Sequence, residues 1–222
     1  MWRDALVIAG RDLRIERRSR VVTNQVLPFA LLVLVLFAFA LDPDRGVLAR
    51  AAAGLFWVAV LFSALLAIQR SFALEASDEA RDGLRLSGLD PAGIFLGKAL
   101  AVAAQLVVLE ALLTIGIAVF YGSELQGPLL LATTAVLATV GIAAAGTLYG
   151  VLAAGLRVRE TLLPLLVLPV VAPVLLASTR AWEAGLQGVP GEGWSWLRIL
   201  GVFAVVYVAI GIAAFGALLE DA

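Results

Sequence analysis

The chain has 222 residues, 62% of them hydrophobic, with a mean hydropathy of +1.02 and a formal charge of −1. A soluble domain is about half apolar, so this balance indicates an integral membrane protein with little besides its spans. The absence of Cys and His excludes disulfides, thiol chemistry, most zinc sites and every His-based acid–base scheme, and removes the usual axial ligands of a haem iron. No cofactor bound by this chain and no nucleic-acid partner is expected.

Met1–Arg20 reads as an amphipathic helix lying on the membrane surface. Trp2, Leu6, Ala9 and Leu13 share one face, and Arg3, Arg11, Arg14 and Arg18 take the others. Ala38-Phe39-Ala40 resembles a signal cleavage site, but a leading segment that holds Asp4, Asp12 and Glu16 is unlike a secretory n-region. Six spans are expected over residues 21–41, 51–68, 94–120, 128–156, 162–177 and 199–219, the first with Asn24, Gln25 and Pro28 near its inner end. Short loops fall at 42–50, 121–127 and 157–160, and a longer one at 178–198.

The remaining connection, Arg70–Lys98, is the longest charged segment. Glu75, Asp78, Glu79, Asp82 and Asp90 stand against Arg70, Arg81, Arg85 and Lys98. Such mixed charge suits a protein partner better than an anionic lipid surface. A short helix is expected from about Phe72 to Asp82, stopped by Gly83, with Asp78 and Arg81 paired at i,i+3. Leu84, Leu86 and Leu89 would anchor the partner. Asp90-Pro91 reads as an N-cap followed by proline at the first helical position, so the third span should start before the membrane. With six spans, both termini and this loop lie on the side that carries twelve basic residues against four, which is the cytoplasm.

Five further features could carry function. Gly93–Ala99 superficially resembles a phosphate-binding loop. It has three residues between its glycines, Ala99 after Lys98 and no preceding strand, so Lys98 reads as an anchor at the inner face. Glu110 is the one acid deep in a span: a proton or substrate site, or a hydrogen-bonded carboxyl tying two helices, with Thr114 on its face. Pro164, Pro169 and Pro173 should bend or break the fifth span, making it a kinked structural helix or part of a gate. Gly141, Ala145, Gly146 and Gly150 suit close helix packing or homodimerisation. Trp182, Trp194 and Trp196 are placed in the outer loop, as an aromatic belt or a platform for a partner.

An amphipathic N-terminal helix, six spans and a cytoplasmic loop after the second span together resemble a type-2 ABC exporter permease. Asp82-Gly83-Leu84 with Leu86, Pro91 and Lys98, and the proline-rich 162–176, are similar to the CcmB family of haem exporter permeases in cytochrome c maturation. Arg85 and Gly88-Leu89-Asp90 depart from that family's pattern. The resemblance implies a single permease domain over 1–222. It would be an all-α membrane protein with six transmembrane helices, an interfacial N-terminal helix and a short coupling helix. It implies a non-enzymatic subunit working with a second copy of itself and a CcmA-like ATPase dimer that holds the ATP. A CcmC-like membrane protein and a CcmE-like chaperone would handle the haem. Glu79, Arg81, Asp82, Gly83, Leu84, Leu86, Leu89 and Pro91 would be the ATPase-coupling residues. The alternatives are a type-2 permease for a lipid, glycan or drug-like substrate, a proton-coupled carrier centred on Glu110, and a purely structural assembly subunit.

Overall fold

The structure, a computed structural model, describes residues 1–20, 24, 26–41, 45–73, 88–154 and 159–221. Regular structure among them is entirely helical: α1 (Trp2–Ser19), α2 (Leu27–Leu41), α3 (Arg45–Ala73), α4 (Pro91–Phe120), α5 (Pro128–Ala154), α6 (Arg159–Leu186), α7 (Pro190–Gly193) and α8 (Trp196–Asp221). Five of these, α3 to α6 and the segment ending in α8, are long and apolar enough to cross a membrane. The chain is therefore a multi-pass membrane protein. Of the expected first span over 21–41, α2 covers 15 residues, about 22 Å of helix against a hydrocarbon core of about 30 Å. Residues 21–23 and 25 lie outside the described segments.

Two boundaries differ more substantially from expectation. The fifth span is α6, a helix of 28 residues that contains Pro164, Pro169 and Pro173 without being broken. Leu163, Val167, Val171, Val174 and Ala177 form a buried stripe along it, while Pro169 and Pro173 are exposed and Pro164 is half-buried. The stripe seats the helix against its neighbours, and the rings turn away from that contact. The loop at 178–198 is correspondingly small. Residues 178–186 complete α6, α7 is a single turn, and α8 begins at Trp196. Trp182 is therefore in a helix and 2% exposed, not in a loop. Trp194 is exposed and Trp196 half-buried.

The helix α5 is central, packed against α3, α4, α6 and α8. Its small residues explain why. A Cβ on Gly146 would collide with Ile68 Cδ1, and one on Gly150 with the ring of Phe72, both on α3. A Cβ on Gly141 would come within 2.9 Å of Phe203 on α8. The GxxxG pair is thus filled from within the chain, which removes it as a homodimer contact. Aromatic rings close the core. Phe56 of α3 stacks on Trp182 with centroids 3.8 Å apart, Trp57 meets Trp182 edge-on at 5.8 Å, and the Trp182 indole N–H donates to the carbonyl of Leu131 at 3.2 Å. At the same end, the Tyr121 hydroxyl donates to the carbonyl of Leu34 at 3.1 Å, joining the end of α4 to α2.

Candidate functional site

Asp90 begins the construction of the site. Its backbone is extended (φ −63°, ψ 123°), its carboxylate accepts from the Ala92 N–H at 3.1 Å, and Pro91 opens α4. This is the expected cap, and it fixes where the long helix starts. The first turns of α4 then expose two glycines four residues apart, and α1 lies in the groove they leave. A Cβ on Gly93 would sit 2.8 Å from the carbonyl oxygen of Met1, and one on Gly97 2.6 Å from Cβ of Ile8. Gly93 and Gly97, which mimic a phosphate loop in sequence, serve instead as a helix-packing seat.

The face that α1 turns into this seat is Ala5, Ile8, Ala9 and Asp12. Trp2, Leu6 and Val7 point outward. The helix is amphipathic, as expected, but one of its sides is docked to protein. Its acids fasten that side. Asp4 Oδ2 accepts from the terminal amine at 3.1 Å and from the Asp90 N–H at 3.4 Å, and the amine lies 3.4 Å from Asp90 Oδ2. The Asp4 carboxylate raises the amine above its ordinary range, and the amine in turn holds Asp4 below the usual carboxylate range. Asp12 Oδ2 lies 3.6 Å from Nζ of Lys98. Glu16 Oε2 lies 3.3 Å from Nε of Arg70.

Lys98 is not the snorkelling anchor that its position in the sequence suggests. It is 1% exposed, between Asp12, the Ser71 hydroxyl at 3.4 Å and the ring of Phe72, whose centroid is 4.8 Å away. Arg70, Ser71 and Phe72 are the last turn of α3, and Asp90 to Lys98 are the first turns of α4. The helix α1 therefore clamps both ends of the connection between α3 and α4. Glu79, Arg81, Asp82, Gly83, Leu84 and Leu86 fall within residues 74–87, outside the described segments, as does most of the expected coupling helix. Leu89 is half-buried and packs against the core, while Pro91 is exposed.

Glu110 is far from this clamp, on the opposite half of α4. It is 3% exposed. The Thr139 hydroxyl of α5 donates to its Oε1 at 2.7 Å, and the Thr114 hydroxyl donates to its backbone carbonyl at 2.7 Å. The carboxyl thus ties α4 to α5, the packing role considered for it. Glu110 and the tryptophans flank one cavity only through Trp182; Trp194 and Trp196 do not line it.

The sequence assigns Asp12, Glu16 and Arg70 their charge but no contact. The signal was present: Ala5, Ile8, Ala9, Asp12 and Glu16 recur at helical spacing, and Gly93 and Gly97 recur at four with a lysine beside them.

The profile of the CcmB protein family matches residues 3–221. Heme exporter protein B of Haemophilus influenzae is 34% identical over 97% of this chain and 96% of its own length. The proteins of that name from Pseudomonas aeruginosa and Escherichia coli K12 are 30% and 32% identical, over 95% and 86% of this chain and 94% and 86% of their own lengths. Similarity of this extent, carried from the first turn of α1 to the last of α8, establishes that the chain belongs to the CcmB family.

Proposed function

We propose that this chain is the non-catalytic permease subunit of an ATP-driven complex that exports or delivers haem for cytochrome c biogenesis. The observation that carries the reading is the end-to-end likeness to proteins named heme exporter protein B. The absence of His and Cys suits a subunit that transmits force while partners ligate the haem substrate. Gly93, Gly97 and Lys98 are engaged in packing, consistent with ATP being held by a separate ATPase. The working assembly is two copies of this chain, a CcmA-like ATPase dimer, a CcmC-like haem protein and a CcmE-like chaperone, in the bacterial inner membrane. In this reading both termini and the α3–α4 connection lie in the cytoplasm, which the distribution of basic residues supports.

In this reading the connection around Asp82 and Gly83 receives the ATPase, and α1 braces it. Because α1 holds the end of α3 and the start of α4 together, a push on the intervening segment moves all three helices as a unit. The 30 residues of α4, about 45 Å of helix, carry that displacement to the opposite face and so to release of the haem-loaded chaperone. The test is to replace Asp82 and Gly83 and measure both ATPase co-purification and cytochrome c maturation. Loss of either supports the coupling role, and unchanged values in both overturn it. Loss of the whole protein should abolish c-type cytochromes. If they persist, the substrate is another lipid, glycan or drug-like molecule. A proton carrier centred on Glu110 is disfavoured by the bond from Thr139, which gives the carboxyl a packing role.

A further inference from the structure

Between α4, α5 and the end of α6 lies a cavity of about 420 Å³. Its walls are apolar, and Ala111, Ala132 and Ala135 leave the space because their side chains are too short to fill it. Trp182 and Glu110, both almost fully buried, also line it, while Val107 and Val136 are 46% and 54% exposed. The cavity therefore opens sideways between Val107 and Val136, toward the surface that faces lipid, and runs on to Leu125 and Pro128 at the α4–α5 connection. Glu110, ten residues from the end of α4, about 15 Å of helix, marks its deep end.

The hydrogen-bonding inventory of the lining is short. The Trp182 N–H is committed to Leu131, and the Thr114 hydroxyl to the Glu110 carbonyl. Oε1 of Glu110 accepts from Thr139. Oε2 has no hydrogen-bond partner among the described residues. An apolar hollow with one polar vacancy selects a ligand that is apolar apart from one hydrogen-bonding group. A charged head group would have to leave water to reach this depth, with no basic residue in the lining to receive it.

We propose that this cavity binds a neutral lipophile bearing a single hydroxyl, which enters from the bilayer between Val107 and Val136 and forms a hydrogen bond with Oε2 of Glu110. The proposal does not depend on the haem-export reading, since it rests only on this cavity and its one unengaged carboxyl oxygen.

The test uses the full chain in nanodiscs with two photoreactive probes, a diazirine-bearing long-chain alcohol and the matching alkane. The alcohol should label peptides containing 107–114 and 131–136 in a saturable way, about tenfold more strongly than the alkane, the ratio expected for one hydrogen bond. Ala132→Phe, at an exposed position that can take a larger side chain, should abolish that labelling. Ala135→Phe is a second blocking variant. Glu110→Leu should bring the alcohol down to the level of the alkane. Three results overturn the proposal: labelling spread evenly over α8 and the cavity, labelling indifferent to both phenylalanine variants, or equal labelling by the two probes in the unaltered chain. Labelling of the isolated chain that disappears in the assembly purified from membranes would assign the cavity to a partner helix and also overturn it.

Discussion

Lys98 and Asp12 face each other across the α1–α4 contact, Nζ 3.6 Å from Oδ2, with side chains only 1% and 7% exposed. Removing one charge takes away the opposite charge buried beside the other, although Asp12 keeps Arg11, whose Nε lies 3.0 Å from its Oδ1, whereas removing both leaves two apolar surfaces that can close. Lys98→Met or Asp12→Leu alone should therefore destabilise the protein, and the pair together by less than the sum of the two. Thermal unfolding of the four proteins in detergent gives the coupling as a double-mutant cycle. Additive effects would show that the two residues do not act on each other.

The glycine seat predicts a different failure. Gly97→Val places a branched side chain where Cβ of Ile8 already lies 2.6 Å from the nearest possible position, an overpacking cost of about 1–3 kcal/mol. The loss should be local. Trypsin should cut the α1 arginines faster in Gly97→Val than in the unaltered chain, while the core around Phe56 and Trp182 keeps its protection. Faster cleavage throughout would mean that α1 is not an independently docked element.

The clamp was harder to read in the sequence than the spans. Apolar runs of this length announce themselves because lipid forces every backbone group to be satisfied inside a helix. The N-cap at Asp90 announced itself through local chemistry, the carboxylate meeting the Ala92 N–H. Lys98 depends on residues 27 and 86 positions away in the chain, Ser71 and Asp12, and no local pattern states which distant face it meets. The same holds for Pro164, Pro169 and Pro173. Local propensity argues for a break, and the buried stripe from Leu163 to Ala177 overrides it. Gly146 and Gly150 declared close packing but not whether the partner was Ile68 and Phe72 or a second copy.

That last ambiguity supplies a test by size compensation. Gly146→Ala puts a methyl group into Ile68 and should destabilise the fold by about 1–3 kcal/mol. Ile68→Ala opens the facing space, so the double variant should recover most of the loss that Gly146→Ala causes in that background. Unfolding midpoints measure the recovery, and crosslinking of intact membranes checks that copies of the chain still associate to the same extent. Loss of association with no change in unfolding would return the glycines to a homodimer contact.

Glu110 and Thr139 separate a packing carboxyl from a working one. Thr139→Val deletes the donor of the 2.7 Å bond, and hydrogen bonds between membrane helices contribute about 0.6 kcal/mol on average and at most about 1.7. Glu110→Gln keeps a carbonyl oxygen in the place of Oε1, so the Thr139 hydroxyl retains its acceptor and the stability change should be smaller than for Thr139→Val. It does, however, remove the only titratable group in the middle of α4. If the carboxyl only ties α4 to α5, cytochrome c maturation in cells carrying Glu110→Gln should remain near that of the unaltered protein. If it carries protons, maturation should collapse while the unfolding midpoint holds. Measuring both quantities on the same two variants distinguishes a helix tie from a proton site.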